Sequence, residues 1–164
     1  MDAYIALGSN LGDRRRYLQA GLDGLREVEL EPVTVSSVWE TEPVDCTSPR
    51  WFWNMTVKVR TTRDPLEVLD LLMGIERRAG RQRAADKAPR TLDLDLLMLG
   101  DLAVQHERLL LPHPRMWRRR FVLEPLVEIE PELVNPTTGR TVKQERDRLR
   151  DRTRVRRLGP LATR

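Results

Sequence analysis

Residues 89–97 read PRTLDLDLL, and within them Asp93 and Asp95 stand one residue apart with leucine on both sides of each. Leu92, Leu94 and Leu96 alternate with Thr91, Asp93 and Asp95, which is the period of a half-buried strand. In a strand, residues i and i+2 share a face, roughly 6.5–7 Å apart. In a helix, positions two apart do not face each other. The strand reading therefore sets both carboxylates side by side with the leucines packed behind them. Aspartate is a poor strand former, and adjacent like charges raise the energy further. A hard divalent cation, which takes oxygen ligands, would remove that cost. The plain alternative is a polar strand face with both charges in water.

Arg81, Arg83, Lys87 and Arg90 precede the aspartates in one stretch, RQRAADKAPR. Cations beside a hard-metal site are what a polyphosphate requires; a solvated basic loop is the other reading. No GxxxxGK[ST] occurs, nor a protein-kinase motif set. Further on, LLLPHPRMWRRRF (109–121) holds His113 between two prolines that fix the backbone. His113 has a nitrogen donor suited to phosphate, though a lone histidine can equally be structural. Arg118, Arg119 and Arg120 can form a phosphate clamp or face water. Phe121 opens the apolar run FVL, where core packing is its default. Phe52, Asn54 and Thr56 share one face of an alternating run. An aromatic beside an amide can stack a flat heterocycle and read its polar edge, or belong to an ordinary half-buried strand.

The elements that must position these residues can be read from periodicity and turn chemistry. Residues 2–8 alternate as a first strand. GSNLGD leads into a helix of about 13–27, with Leu18, Leu22 and Leu25 on one face. Residues 33–41 read as a second strand, 42–51 as a Pro-containing loop, and 52–61 as a third strand. Asp64-Pro65-Leu66-Glu67 predicts a capping box with proline at the first helical position. It opens a helix to about 79, with Leu66, Leu69, Leu72 and Met73 inward and Gly80 ending it. The DLD strand follows, then a hairpin turn at Gly100-Asp101 into a short strand at 102–105, and a short helix near 115–128. The order βαββαβ through residue 98 predicts an α+β, ferredoxin-like antiparallel sheet with helices on one face, plus a C-terminal hairpin and helix extension. That fold hosts many functions and does not choose among them.

At 164 residues the chain suffices for one domain with a sizeable core. No apolar run approaches a membrane span, and no signal peptide is visible. The single cysteine, Cys46, excludes an internal disulfide and fits a reducing compartment. A cytoplasmic, monomeric protein without membrane contact is expected. The net charge of +4 is uneven: residues 140–164 hold ten basic and three acidic side chains, so the remaining 139 residues net −3. The reading divides the chain into a domain of 1–140 and a basic tail of 141–164, the latter a solvated helix with a frayed end. Of the 29 basic residues, only Lys58, Lys87 and Lys143 are lysine, and arginine is the better bidentate phosphate ligand.

Taken together, IALGSNLGD (5–13), WETEPV (39–44), FWN (52–54), IE…GRQR (75–83), PRTLDLDLL (89–97), LPHPR (111–115) and RRFVLEPL (119–126) resemble the 6-hydroxymethyl-7,8-dihydropterin pyrophosphokinases of folate synthesis. The resemblance covers about residues 4–140, and PRTLDLDLL followed by PHPR is its most specific part. It implies transfer of a diphosphate from ATP to the pterin's hydroxymethyl oxygen, leaving AMP, with two Mg²⁺ ions held by Asp93 and Asp95. It implies that Thr41, Pro43, Val44 and Asn54 line the pterin pocket and that Phe52 and Phe121 sandwich the ring. It implies that Glu76, Arg83, Arg90, Leu96, Arg108, His113 and Arg119 hold ATP. Arg81, Arg90 and Asp95 are its implied catalytic residues, the two arginines stabilising the transferring group. The sequence departs from the pattern in three places. Lys87-Ala88 stand where Trp-Gly is frequent, in a loop one residue shorter. Trp39 stands for a tyrosine, a packing change, and Trp53 for a leucine. The competing reading is a non-enzymatic ferredoxin-like nucleic-acid binder using the basic tail, although no RNA-binding Gly/Phe strand motif is present. Under it, deleting 141–164 would abolish function; under the kinase reading it would not.

Overall fold

The computed structural model describes residues 1–43, 49–80 and 91–161. Strand β1 (Asp2–Ser9) leads into helix α1 (Arg14–Glu27), then β2 (Pro32–Val35), β3 (Val38–Thr41), β4 (Phe52–Arg60), α2 (Pro65–Arg78) and β5 (Asp93–Leu99). Short strands β6 (Val104–His106) and β7 (Leu109–Leu111) follow, then a 3₁₀ turn at Met116–Arg118, α3 (Arg120–Ile129), α4 (Val142–Asp147) and β8 (Val155–Gly159). The main sheet runs β5-β1-β4-β3-β8, with β2 also on β4, and every pairing is antiparallel. The ferredoxin-like βαββαβ order is therefore present. Among the described residues no helix is long and apolar enough to cross a membrane.

Strand alternation divides the apolar residues between two cores. Ala3, Ile5 and Leu7 of β1, with Leu94 and Leu96 of β5, pack under α1 and α2. Tyr4 of β1 and Met98 of β5 pack on the other face with Val122, Leu123 and Leu126 of α3 and Val142 of α4. Helices thus cover both faces: α1 and α2 one side, as expected, and α3 the side that carries the aspartates.

Several local expectations are corrected. The single strand expected over 33–41 is broken at Ser36-Ser37. There Ser36 Oγ accepts the backbone N–H of Thr56 at 2.9 Å and donates to Ser37 O at 2.8 Å, so a side chain takes over part of the ladder. At α2, Asp64 caps the N–H of Leu66 at 3.3 Å, while Glu67 turns to Arg63 at 3.7 Å; no reciprocal box forms. The buried stripe of α2 is Val68, Leu72, Ile75 and Glu76. Met73 lies off it, with its sulfur 3.8 Å from Arg108. The Gly100 turn does not make a hairpin with β5. Its N–H bonds Asp2 O at 2.8 Å, and the next strand pairs with β7 in a separate two-stranded sheet.

The tail is also different from its expectation. Its helix is only six residues long, held by a true capping box of Thr141 and Gln144, with Val142 fully buried. Beyond it β8 adds an edge strand to the main sheet, Val155 opposite Thr41 and Arg156 opposite Glu40. Many of its cations are paired: Arg146 with Glu124, Arg154 with Glu42, Arg156 with Glu40 and Arg157 with Glu128, while Arg140 just ahead of it pairs with Glu145. Deleting 141–164 would remove part of the fold, so that experiment cannot separate a kinase from a nucleic-acid binder.

Candidate active site

Asp93 and Asp95 open β5, both half-buried, with their carboxylates on the face opposite Leu94 and Leu96. Across the ladder Asp93 lies opposite Gly8 and Asp95 opposite Ala6. Their directly opposite partners on β1 thus carry only a hydrogen and a methyl as side chains. Among the described residues no group of three or more His, Cys, Asp or Glu could hold an ion by itself. Mg²⁺ does not need one: it commonly takes one or two carboxylates and completes its shell with water and phosphate oxygens. An all-oxygen pair with small neighbours therefore fits Mg²⁺ arriving with a polyphosphate.

The root of this strand is fixed by Glu76. Its Oε2 accepts the backbone N–H of Leu94 at 2.9 Å, and the residue is 6% exposed. Glu76→Ala would strand a buried donor. We expect a loss of about 1–3 kcal/mol in urea denaturation, with Glu76→Gln, which keeps an acceptor, losing less.

On the same sheet face, β4 presents Phe52, Asn54 and Thr56. Asn54 Nδ2 donates to Thr41 Oγ1 at 2.7 Å, which orients the amide. Gly8 lies opposite Asn54, and a Cβ there would come within 2.6 Å of Asn54 Oδ1 and 3.8 Å of the Phe52 ring. Gly8 is a site residue that motif reading passed over. The signal was present: a glycine near the end of an alternating strand marks close approach of another group. It joins the two halves of the face, since Asp93 is its neighbour on one side and Asn54 on the other.

The third wall comes from the segment after β7. Tyr4 lies opposite Met98 and Ile5 opposite Leu96, so Leu97 is an extra residue, a bulge. Its carbonyl accepts the N–H of His113 at 2.8 Å, which ties the PHP segment to the aspartate strand. His113 Nδ1 accepts from Arg115 N at 3.2 Å, so in the neutral ring Nε2 carries the proton and is the free donor. Burial, followed by Arg119 and Arg115, pushes the imidazole below its ordinary pKa against a weaker pull from Asp93. At neutral pH it is an uncharged donor. Arg119 stacks over Phe121 at 5.4 Å at the start of α3, and α3 packs on β4 and β3. Trp39, the tyrosine replacement, donates through Nε1 to Glu128 of α3 at 3.1 Å.

The structure thus brings Asp93, Asp95, Asn54, Thr41 and Phe52 to one sheet face, with His113, Arg119 and Phe121 in the segment that covers it. Pro43 follows at the end of the described stretch. Leu96 does not join them: at 3% exposure its side chain is in the helix-side core, because strand parity points it away from the aspartates. Arg108 pairs with Asp70 of α2. Val44, Arg81, Arg83, Lys87 and Arg90 lie outside the described residues.

The sequence profile described as 7,8-dihydro-6-hydroxymethylpterin-pyrophosphokinase (HPPK) matches residues 4–131. The 2-amino-4-hydroxy-6-hydroxymethyldihydropteridine pyrophosphokinase of Bacillus subtilis is 43% identical over 144 residues, 87% of this chain and 86% of that one. The protein of the same description from Haemophilus influenzae is 40% identical over 137 residues, 83% of this chain and 86% of its own. Among solved structures, wild-type HPPK-DHPS of Plasmodium falciparum with pteroate superposes with a TM-score of 0.68 at 16% identity. That alignment covers 89% of this chain and 42% of the larger one, so this likeness concerns the fold.

Proposed function

Since this chain belongs to the 7,8-dihydro-6-hydroxymethylpterin-pyrophosphokinase family, we propose how its own residues divide the work of that enzyme. The reaction moves a diphosphate from ATP to the hydroxymethyl group of 6-hydroxymethyl-7,8-dihydropterin, giving the pterin diphosphate and AMP in folate biosynthesis. The hydroxymethyl oxygen bonds to the β-phosphorus of ATP, the bond from that phosphorus to the α,β-bridging oxygen breaks, and the hydroxyl proton is released. Such transfers depend on alignment and on stabilising charge at phosphoryl oxygens.

The observation that supports the reading most is the row across β5, β1 and β4. Asp93 lies opposite Gly8, and Gly8 opposite Asn54, which puts carboxylates for a metal-bound polyphosphate one strand from an oriented amide for a heterocycle. Asp93 and Asp95 would hold two Mg²⁺ ions, which when bound would neutralise charge on the ATP phosphates. Neutral His113 donates to a phosphate, and Arg119 reaches the same ATP, with Glu76, Arg83, Arg90 and Arg108 as its further ligands. Leu96 contributes through its backbone alone. Thr41, Pro43, Val44 and Asn54 read the pterin's polar edge between Phe52 and Phe121. Arg81 and Arg90 meet the charge on the transferring group. The enzyme acts as a cytoplasmic monomer.

AMP release from ATP and Mg²⁺, with and without the hydroxymethyl pterin, tests the reading. AMP should form only with the pterin and equal the pterin diphosphate made. Formation of ADP would mean transfer of a single phosphoryl group and would overturn it.

Two substitutions separate the pterin end from the phosphate end. Asn54→Ala should weaken pterin binding by about 1–3 kcal/mol through unpaired polar groups and leave ATP affinity nearly unchanged. Gly8→Ala should do nearly as much without touching a ligand atom, because its methyl must displace the Asn54 amide. Calorimetric titration with each ligand checks both. Equal loss of ATP and pterin would point to a disturbed fold.

A further inference from the structure

Helix α3 carries Phe121, yet its local sequence, RRRF, has no capping residue: Arg119 stands at the N-cap and makes no side-chain cap bond. Helix starts leave backbone donors in need of acceptors. Here the acceptor comes from another part of the chain. Asp151 Oδ2 accepts the N–H of Arg120 at 3.0 Å, and its Oδ1 accepts the N–H of Thr153 at 2.8 Å, which fixes the carboxylate. Thr153 O in turn accepts from the Arg120 guanidinium at 3.0 Å.

The segment then reaches the opposite wall. Glu42 N–H bonds Arg154 O at 2.9 Å, and the Glu42 carboxylate accepts from Arg154 N at 3.3 Å and Nε at 3.0 Å. Glu42 stands between Thr41 and Pro43. Residues 151–155 therefore touch the neighbours of Phe121 on one side and of Thr41 on the other. The far end of α3 is held separately, by Glu128 on Ser37 N at 2.7 Å and Trp39, and by Glu130 on Lys58 at 3.0 Å. The profile shared with the family stops at residue 131, so this clamp is built from chain beyond it.

Resting on the reading of Phe121 as a pterin-stacking residue, we propose that Asp151 is a positioning residue: it caps α3 from a distance and so sets Phe121 against the Thr41–Asn54 wall. Its carboxylate suits the task. Burial alone would raise its pKa, but the N–H groups of Arg120 and Thr153 outweigh burial and hold it below the ordinary range. It is anionic at neutral pH, beside the positive end of the helix.

The test is the affinity for 6-hydroxymethyl-7,8-dihydropterin, by calorimetry, with Mg²⁺ and a non-hydrolysable ATP analogue. Asp151→Ala should weaken it roughly three- to tenfold, within the range of a lost N-cap, and Asp151→Asn, which keeps an acceptor, much less. Arg120→Pro removes the N–H that Asp151 serves, at a position where proline is well tolerated. In that background Asp151→Ala should cost much less than in the wild type, since only its bond from the Thr153 N–H is left to lose. A melting curve of each variant, and Asp151→Asn if Asp151→Ala proves unstable, keeps the comparison among folded proteins. Wild-type affinity in Asp151→Ala, or an undiminished loss in the Arg120→Pro background, would overturn the inference. If Phe121→Ala binds pterin as the wild type does, the stacking assignment fails and this inference with it. If Phe121→Ala binds weakly and Asp151→Ala normally, only the capping argument fails.

Discussion

Asp93→Ala and Asp95→Ala are each expected to give a folded protein with no measurable turnover. The two carboxylates are the hard-oxygen pair on the sheet face beside Gly8 and Ala6, and no group of three or more acidic, His or Cys side chains among the described residues could take over the ion. Loss of a direct ligand withdraws several kcal/mol of charge stabilisation from the transition state, a fall of at least about 10³ in rate. The fold should survive, because β5 is anchored by Leu94 and Leu96 on the opposite face and by Glu76 on the Leu94 N–H. Melting temperatures within about 4 °C of the wild type would express that, at about 1 kcal/mol or less for a chain of this size. AMP release at saturating ATP and ordinary Mg²⁺ is the assay. Near-normal activity in either variant would remove the metal assignment.

Arg90→Ala should lower kcat by roughly 10²–10³, the scale of a lost transition-state donor, while Lys87→Ala should cost far less. Both residues lie outside the described stretches. Arg90 is two residues from Leu92, which is fully buried, whereas Lys87 is five residues away. A charge tied closely to an anchored residue loses less entropy when it engages a phosphate. Arginine also offers a planar fork for bidentate contact, and a lysine ammonium does not. Steady-state kinetics of the two variants decide between them. Comparable losses would make Lys87 a catalytic residue that the family pattern hides.

These expectations draw on what the sequence alone determined and what only folding decided. Period-2 alternation and cap chemistry were enough for β1, α1, β4, α2 and β5, because the face each turns to the core between sheet, α1 and α2 is apolar and so writes its period into local sequence. The DLD face was legible for the same reason: leucine parity leaves the aspartates no other side. The resemblance supplied the reaction and the residues proposed for the site, and strand parity turns the Leu96 side chain away from the aspartate face.

What escaped the sequence is non-local. The break at Ser36-Ser37 depends on a serine hydroxyl meeting Thr56 N–H across the sheet, and polarity alone does not announce it. β8 reads VRRLG and looks like a solvated basic tail because an edge strand exposes its side chains. Its place is set by backbone pairing with β3 and by arginines meeting Glu40, Glu42 and Glu128. Gly8 mattered only once β4 put Asn54 opposite it. The start of α3 lacks a local cap, and only the tertiary structure supplies Asp151, 31 residues further along the chain. Local pattern fixes which face of an element is apolar; partners distant in sequence are chosen by register and packing, which no short window contains.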